Sequence, residues 1–237
     1  MKNVIFAGAL AALAGTASAG VIAGTSFENA FAGDRYVDTG DASVDHDLIN
    51  NAGQSEVDFT AAGGEMGFDA YYRNTRNDVG LTDGDFVGAT NFTGTVGAFT
   101  DGVQGYEMQD ADGTMGMSFD TVNHAGAWGM SMDLYVQETG WESDDSIHIW
   151  MQVDGGVTVD ILNTIGGDVN DLFIEGAWLT LDIDLSAYTE ATLFVELESN
   201  SGSESIYLDN VSFATIPAPG AAALLGLGGL VGLRRRR

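Results

Sequence analysis

Apolar and polar residues alternate with a period of two in several runs along the second half of the chain. The runs are 127–137, 146–153, 178–185, 191–197 and 205–213. Successive side chains of a β-strand point to opposite faces, so this period predicts strands with one buried face. Within 178–185, for example, the polar residues Thr180, Asp182 and Asp184 share one face and most of the apolar residues share the other.

Turn residues separate these runs at short intervals, as in Asp154-Gly155-Gly156 and Ser201-Gly202, and helical periodicity is weak throughout. The chain has 33 glycines and only two prolines. This pattern predicts an all-β fold, an antiparallel two-sheet sandwich of the jelly-roll type. Residues 20–215 are expected to form this single domain, which is long enough to bury a core without disulfides, and the sequence has no cysteine.

The charge is strongly negative between the two ends of the chain. All 35 acidic residues lie between Gly20 and Ile216, whereas only Arg35, Arg73 and Arg76 of the eight basic residues do. Nucleic acid is therefore excluded as a partner, because phosphate binding needs clustered basic side chains. Such acidity suits either divalent cations or a salty medium that screens self-repulsion, and the sequence leaves both interpretations open.

Calcium is the metal that the acidic turns fit best, because it takes six to eight oxygen ligands. None of these turns has the spacing of an EF-hand loop. The three histidines are too scattered for a zinc site. The acidic turns, each of which could equally be a solvated surface turn, contain Asp38, Asp41, Asp45 and Asp47; Asp83 and Asp85; Asp110 and Asp112; and Glu142, Asp144 and Asp145.

Some of six aromatic residues are candidate sugar-stacking surfaces, namely Tyr71, Tyr72, Trp128, Trp141, Trp150 and Trp178, and two positions are singled out. Trp141 lies in an acidic turn and is expected to be exposed, and Tyr71 precedes Tyr72 and Arg73 in a mixed aromatic and polar segment. Aromatic faces pack against the apolar faces of pyranose rings, although core packing is an alternative role for each residue.

Paired carboxylates raise the alternative of glycoside hydrolysis. Glu196 and Glu198 alternate on one strand face, as do Asp182 and Asp184. Such pairs could divide acid and nucleophile roles. Neither the Glu-x-Asp-x-x-Glu pattern of laminarinase-like sandwiches nor a Gly-x-Ser-x-Gly elbow is present, so we expect no catalytic residue and a non-enzymatic protein.

The first nineteen residues have the three parts of a secretory signal: Lys2, an apolar run over 4–14, and Ala17-Ser18-Ala19. We expect a signal helix over 1–19 that is cleaved after Ala19, and hence an exported protein. A buried N-terminal helix is the alternative.

The last residues combine a turn, a short apolar run and a basic block. Pro217, Ala218 and Pro219 precede the apolar segment 221–233, which as a helix would span roughly 20 Å of a hydrocarbon core about 30 Å thick. A short transmembrane helix held by the basic block on the cytoplasmic side is expected, with a plain C-terminal anchor as the alternative. The block consists of Arg234, Arg235, Arg236 and Arg237.

This tail, 216–237, resembles the PEP-CTERM sorting tail of biofilm-forming Gram-negative bacteria, with Ala218 where that family usually has Glu. The resemblance implies an exosortase-type processing enzyme as a partner, a transient inner-membrane intermediate, and a final location at the cell surface or in the extracellular matrix.

A second resemblance concerns the two ends of the domain. The segments 24–28 and 207–213 are similar to the opening and closing strands of jelly-roll carbohydrate-binding modules and galactose-binding-like domains. In those families the two strands lie close together, and the resemblance implies a structural calcium ion bound by Glu28 and Asp209.

Three functions follow from these features. The first is a non-enzymatic surface or matrix protein that is sorted through its tail and associated with extracellular polysaccharide. The second is a calcium-stabilised carbohydrate-binding module, and the third is a secreted polysaccharide hydrolase.

Overall fold

The computed structural model describes residues 19–74, 81 and 85–217. These residues form thirteen strands and one short 3-10 helix, Val169–Leu172. None of them belongs to a helix long and apolar enough to cross a bilayer. The strands are β1 Val21–Thr25, β2 His46–Asp47, β3 Phe68–Arg73, β4 Phe86–Thr90, β5 Gly105–Gln109, β6 Gly113–Phe119, β7 Val122–Asn123, β8 Trp128–Val136, β9 Ser146–Val153, β10 Val157–Asn163, β11 Trp178–Asp184, β12 Glu190–Ser199 and β13 Ser205–Thr215.

The strands form two sheets that pack face to face. Sheet A has the order β11-β8-β13-β5-β4, with β1 also paired to β13. Sheet B has the order β10-β9-β12-β6-β3-β2, with β7 also paired to β12. Every pairing between these strands is antiparallel. The predicted all-β, antiparallel two-sheet sandwich is confirmed.

The five alternating runs all form strands whose bounds lie within two residues of the predicted ones, and β9 has the bounds that its alternation predicts. The alternation is strict in β12, where every second residue from Ala191 to Ser199 is buried and the residues between them are partly exposed. A strand between a core and solvent imposes this period on its sequence.

The core lies between the inner faces of the two sheets and is rich in methionine. Methionine is flexible and fills irregular gaps between packed side chains. Because the inner positions are fixed by this packing, the intervening residues of β3, β6, β9 and β12 must point outward from sheet B. The largest fully buried side chains include Trp128, Tyr72, Tyr106, Phe27, Phe68, Phe213, Met108, Met115, Met117 and Met132.

The two ends of the domain meet in sheet A, where β1 pairs with β13. The first and last strands are therefore neighbours, as the second resemblance implies. The predicted signal helix over 1–19 lies outside the described residues except for Ala19, and the predicted tail is described only at Ile216 and Pro217. The segment 221–233, predicted as a short transmembrane helix, and the block Arg234 to Arg237 lie wholly outside the described residues.

Candidate functional site

A cavity of about 570 Å³ opens on the outer face of sheet B. It combines aromatic rings, carboxylates and one guanidinium, which is the composition of a polar-ligand site rather than of an apolar groove. The residues that line it are Asp47, Leu48, Asp58, Asp69, Ala70, Tyr71, Arg73, Ser118, Trp150, Phe194 and Glu196.

The strand register builds this surface. Trp150 in β9 lies opposite Phe194 in β12, and Phe194 lies opposite Ser118 in β6. Ser118 in turn lies opposite Asp69 in β3. One row of outward-facing side chains therefore crosses four strands, with aromatic rings at one end and a carboxylate at the other.

The aromatic end is a stack of three rings. Trp150 and Phe194 are nearly parallel, with ring centroids 5.1 Å apart and an interplanar angle of 8°. His148 stacks on Trp150 with centroids 4.3 Å apart, and its Nε2 lies 2.8 Å from Oδ1 of Asp160. We call His148, Trp150 and Phe194 the aromatic platform. Stacking on neighbours fixes its rings before any ligand arrives, which lowers the entropic cost of binding.

Tyr71 forms the wall of the cavity next to this platform. Its hydroxyl donates a hydrogen bond of 2.9 Å to Oε1 of Glu196, although β6 separates the two strands. The ring reaches across because it lies on Gly116, where any Cβ would overlap it. Burial first, and then the adjacent carboxylate of Glu196, raise the pKa of Tyr71. The guanidinium of Arg73 covers the ring, 4.4 Å from its centroid. Tyr71 was a candidate from sequence, and the structure places it in this cavity.

Two carboxyl groups, Asp58 and Asp69, meet at the opposite side of the cavity. Burial first, and then the charge of Asp69 and a hydrogen bond with it, raise the pKa of the Asp58 carboxyl. The position of Asp58 is fixed by Asn50, whose side-chain oxygen accepts hydrogen bonds from the Val57 and Asp58 amides, at 2.9 and 3.1 Å. A pair of carboxyl groups in which one has a raised pKa can bind cations or exchange protons with a ligand.

The second aromatic candidate, Trp141, does not lie on this surface. The prediction that it is exposed is wrong: it is 3% exposed and belongs to the main core. Its indole N–H donates to the carbonyl of Gln137, at 3.1 Å, so the ring loses no hydrogen bond when it is buried. The neighbours Glu142 and Asp144 remain exposed, and their polarity suggested exposure for the whole turn.

Glu28 and Asp209 both contact the loop between β4 and β5. Glu28 Oε1 accepts hydrogen bonds from the Val103 and Gln104 amides, at 2.7 and 2.8 Å. Asp209 Oδ2 accepts from the Thr100 amide and hydroxyl and from the Asp101 amide. Asp209 is fully buried, and burial raises its pKa to about 6. The structure thus brings both predicted calcium ligands to one loop, where their oxygens hold backbone amides.

Two other groups of acidic side chains converge among the described residues. Asp85 joins Asp110 and Asp112, and Glu204 joins Glu142 and Asp145. Burial first, and then the neighbouring Glu142 and Asp145, raise the pKa of Glu204 to about 7, against the lowering effect of a backbone hydrogen bond from Asn200. Each group contains residues from predicted acidic turns, but the fold adds a partner distant in sequence.

Sequence reasoning did not single out Phe194, Asp58 or Asp69. The alternation of β12 contained a signal for Phe194. This residue is aromatic but lies on the solvent-facing side of the strand, between Thr192 and Glu196. Asp58 lies outside the thirteen strands, so its approach to Asp69 follows only from the tertiary structure.

No protein-family model and no curated protein matches the chain. Among solved structures, the CBM22-1–GH10 modules of Clostridium thermocellum xylanase 10B, complexed with xylohexaose, are 12% identical, with a TM-score of 0.36 and coverage of 55% of this chain and 25% of that one. The K3 cleaved adhesin domain of Porphyromonas gingivalis Lys-gingipain is 13% identical, with a TM-score of 0.36 and coverage of 83% and 99%. The Stig cyclase Fisc of Fischerella sp. TAU is 12% identical, with a TM-score of 0.41 and coverage of 85% and 100%.

This chain therefore spans about a quarter of the length of the xylanase. At such low TM-scores and identities these likenesses assign neither a family nor a function to it. Its own cavity and side chains carry the functional interpretation.

Proposed function

We propose that this protein is a non-enzymatic, exported glycan-binding protein that binds polysaccharide on the outer face of sheet B. The observation that carries the proposal is the aromatic platform beside the cavity: Trp150 and Phe194 lie parallel and half-exposed, with polar groups on both sides. A pyranose ring offers an apolar face for stacking and a rim of hydroxyl groups for hydrogen bonds. Tyr71, Glu196 and Arg73 supply such hydrogen-bonding groups at the wall.

The open shape of the site suits an internal segment of a polymer. Outward-facing residues continue along the same strands to Glu198 in β12 and Gln152 in β9, so a chain of sugars could lie across several strands. In this proposal the cavity is the central part of a longer surface.

Replacing Trp150 with alanine is expected to weaken polysaccharide binding at least about tenfold, or roughly 1.4 kcal/mol, because it removes the central ring of the platform. Binding can be measured by affinity electrophoresis or calorimetry against neutral, cationic and anionic glycans. Phe173→Ala is the control, since Phe173 is 91% exposed and outside the cavity lining. Retained binding by Trp150→Ala, or equal loss in Phe173→Ala, would contradict the proposed site.

Glycoside hydrolysis is the second candidate, because Asp58 and Asp69 form a carboxyl pair in which one pKa is raised. Release of reducing ends from a bound oligosaccharide, lost in Asp58→Asn, would favour it. Binding without release would favour the non-enzymatic function.

We further propose that the tail directs the protein to its location. Pro217, Ala218 and Pro219 with the block Arg234 to Arg237 would serve an exosortase-type enzyme at the inner membrane, and the processed protein would remain at the cell surface or in the matrix. The support is the resemblance of the tail, and a glycan-binding surface would suit retention in a polysaccharide matrix.

Calcium bound by Glu28 and Asp209 is a further proposal. Both residues offer the oxygen ligands that calcium prefers, and Asp209 is a fully buried carboxylate. Asp209 Oδ2 accepts three hydrogen bonds, whereas Oδ1 accepts one, from the Asn210 amide at 2.7 Å, so Asp209 Oδ1 and Glu28 Oε2 would be the oxygens for the ion. Bound calcium would help to fix the loop between β4 and β5, whose backbone amides donate hydrogen bonds to Glu28 and Asp209.

A chelator is expected to lower the melting temperature of the wild-type protein and to have no effect on Asp209→Asn. Ligand that binds only the folded state at about 100 times its Kd stabilises it by about 2.7 kcal/mol. Thermal melts with calcium, with chelator, and with sodium chloride at matched ionic strength measure this. A melt that follows ionic strength alone would show that the acidity serves solvation in salt.

A further inference from the structure

Carboxylates dominate the charge of the cavity. Among the described residues that line it, Asp47, Asp58, Asp69 and Glu196 are acidic, and Arg73 is the one basic side chain. Arg73 is already engaged, since its guanidinium lies over the Tyr71 ring and Nη2 is 3.7 Å from Oδ1 of Asp47. The lining therefore has an excess of negative charge that its own cation does not balance.

Asp58 and Asp69 concentrate this excess at one point. They are close enough to share a hydrogen bond, and no described lysine, arginine or histidine lies within ion-pairing distance of either. Burial first, and then the charge of the neighbouring Asp69, raise the pKa of Asp58, and a cation placed between the two carboxylates would relieve their mutual repulsion. A uronic acid would increase it.

The carboxyl pair and the aromatic platform are spaced for one ligand. Asp69 lies two strands from Phe194 in the same row, through Ser118, so their backbones are about 10 Å apart at about 4.8 Å per strand. A disaccharide unit could stack one ring on the platform and extend a substituent of the next ring to the carboxyl pair.

We infer that this cavity binds a glycan with free ammonium groups, an oligomer of glucosamine-type residues, whose ammonium is received by Asp58 and Asp69 while a ring stacks on Trp150 and Phe194. This inference rests on the proposed glycan-binding function and specifies its ligand class. An ammonium can donate three hydrogen bonds, and two carboxylates present enough acceptors for all of them. N-acetylation would remove both the charge and these donors.

A matched pair of ligands tests the inference: a short glucosamine oligosaccharide and the same oligosaccharide after chemical N-acetylation. At mildly acidic pH, where the sugar amine is protonated, the wild-type protein is expected to bind the amine form about tenfold more tightly. Asp69→Asn should reduce this preference to about twofold, because it lowers affinity for the amine form more than affinity for the acetylated form. Asp69 is exposed, so a moderate effect is appropriate.

Two controls separate a specific site from general attraction between an acidic protein and a cation. Asp182→Asn changes a carboxylate on the outer face of sheet A and should leave the preference unchanged. Trp150→Ala should lose affinity for both ligands. If Trp150→Ala still binds the amine form at wild-type affinity, or if Asp182→Asn lowers the preference as much as Asp69→Asn, the inference is wrong.

The failure of the inference can be told apart from the failure of the proposed function. Equal or tighter binding of the acetylated form, or binding of neutral glucans alone, would overturn the ammonium specificity while leaving a glycan-binding site. If no glycan of any charge binds, both are overturned.

Discussion

Replacing Trp141 with alanine is expected to lower the free energy of unfolding by about 3–5 kcal/mol, the range for a large aromatic residue removed from a packed core. Trp141 is 3% exposed, and its backbone carbonyl accepts a hydrogen bond of 3.2 Å from the side chain of Asn170. The substitution would leave a cavity under the turn and the 3-10 helix. For a domain of this size the loss corresponds to a fall in melting temperature of about 10 °C.

The informative comparison is with Trp150→Ala, the same chemical change on a half-exposed side chain. Trp141→Ala should lose stability and keep glycan affinity in its folded fraction, whereas Trp150→Ala should keep most of its stability and lose affinity. Urea unfolding and binding measured on both variants test this crossed pattern. A Trp141→Ala variant that melts like the wild type but no longer binds would indicate that Trp141 is a ligand-binding residue.

The sandwich could be predicted from sequence because the alternation that specifies each strand is local in sequence. A strand between core and solvent needs an apolar residue at every second position, so β8, β9, β11, β12 and β13 are visible as alternation. The turn at Asp154, Gly155 and Gly156 is also local: all three residues have positive φ, and they join β9 to β10. Such features need no knowledge of distant contacts.

The site could not be predicted in the same way because it depends on register between distant strands. Tyr71 and Glu196 are 125 residues apart in sequence, and they meet only because β6 lies between their strands with Gly116 at the crossing point. Gly116 has no signal of its own in the sequence. The burial of Trp141 is likewise decided by what packs over it, including Asn170 from the 3-10 helix.

The loop between β4 and β5 covers part of sheet A and buries a carboxyl group there. Trp178 and Tyr135 donate hydrogen bonds to the carbonyls of Ala98 and Thr95 in this loop, which packs on the outer face of the sheet. Glu107 lies beneath it, 4% exposed, and accepts a hydrogen bond of 2.5 Å from the Tyr207 hydroxyl. Burial raises the pKa of Glu107 from 4.5 to about 7, against the lowering effects of Tyr207, Thr90 and Arg35.

This raised pKa predicts that the protein loses stability as the pH rises from about 5 to about 7.5. The folded state keeps the Glu107 proton in this window and the unfolded state releases it, so the folded state is favoured below the unfolded pKa. The advantage disappears as the pH rises through about 7. The shift corresponds to about 3 kcal/mol. Asp209 and Glu204, whose pKa values are also raised, act in the same direction.

Glu107→Gln isolates the contribution of this one group, because every other titrating group is shared with the wild type. Glutamine can still accept the Tyr207 hydrogen bond but carries no charge, so the variant should be more stable than the wild type by up to about 3 kcal/mol at pH about 7.5 and nearly equal to it at pH about 5. Urea unfolding at the two pH values measures this, with the exposed Glu138→Gln as the matched control. If Glu107→Gln has the same pH dependence as the wild type, the loop does not bury this carboxyl in solution, and the stability of sheet A's outer face must come from the Tyr135, Trp178 and Phe99 contacts alone.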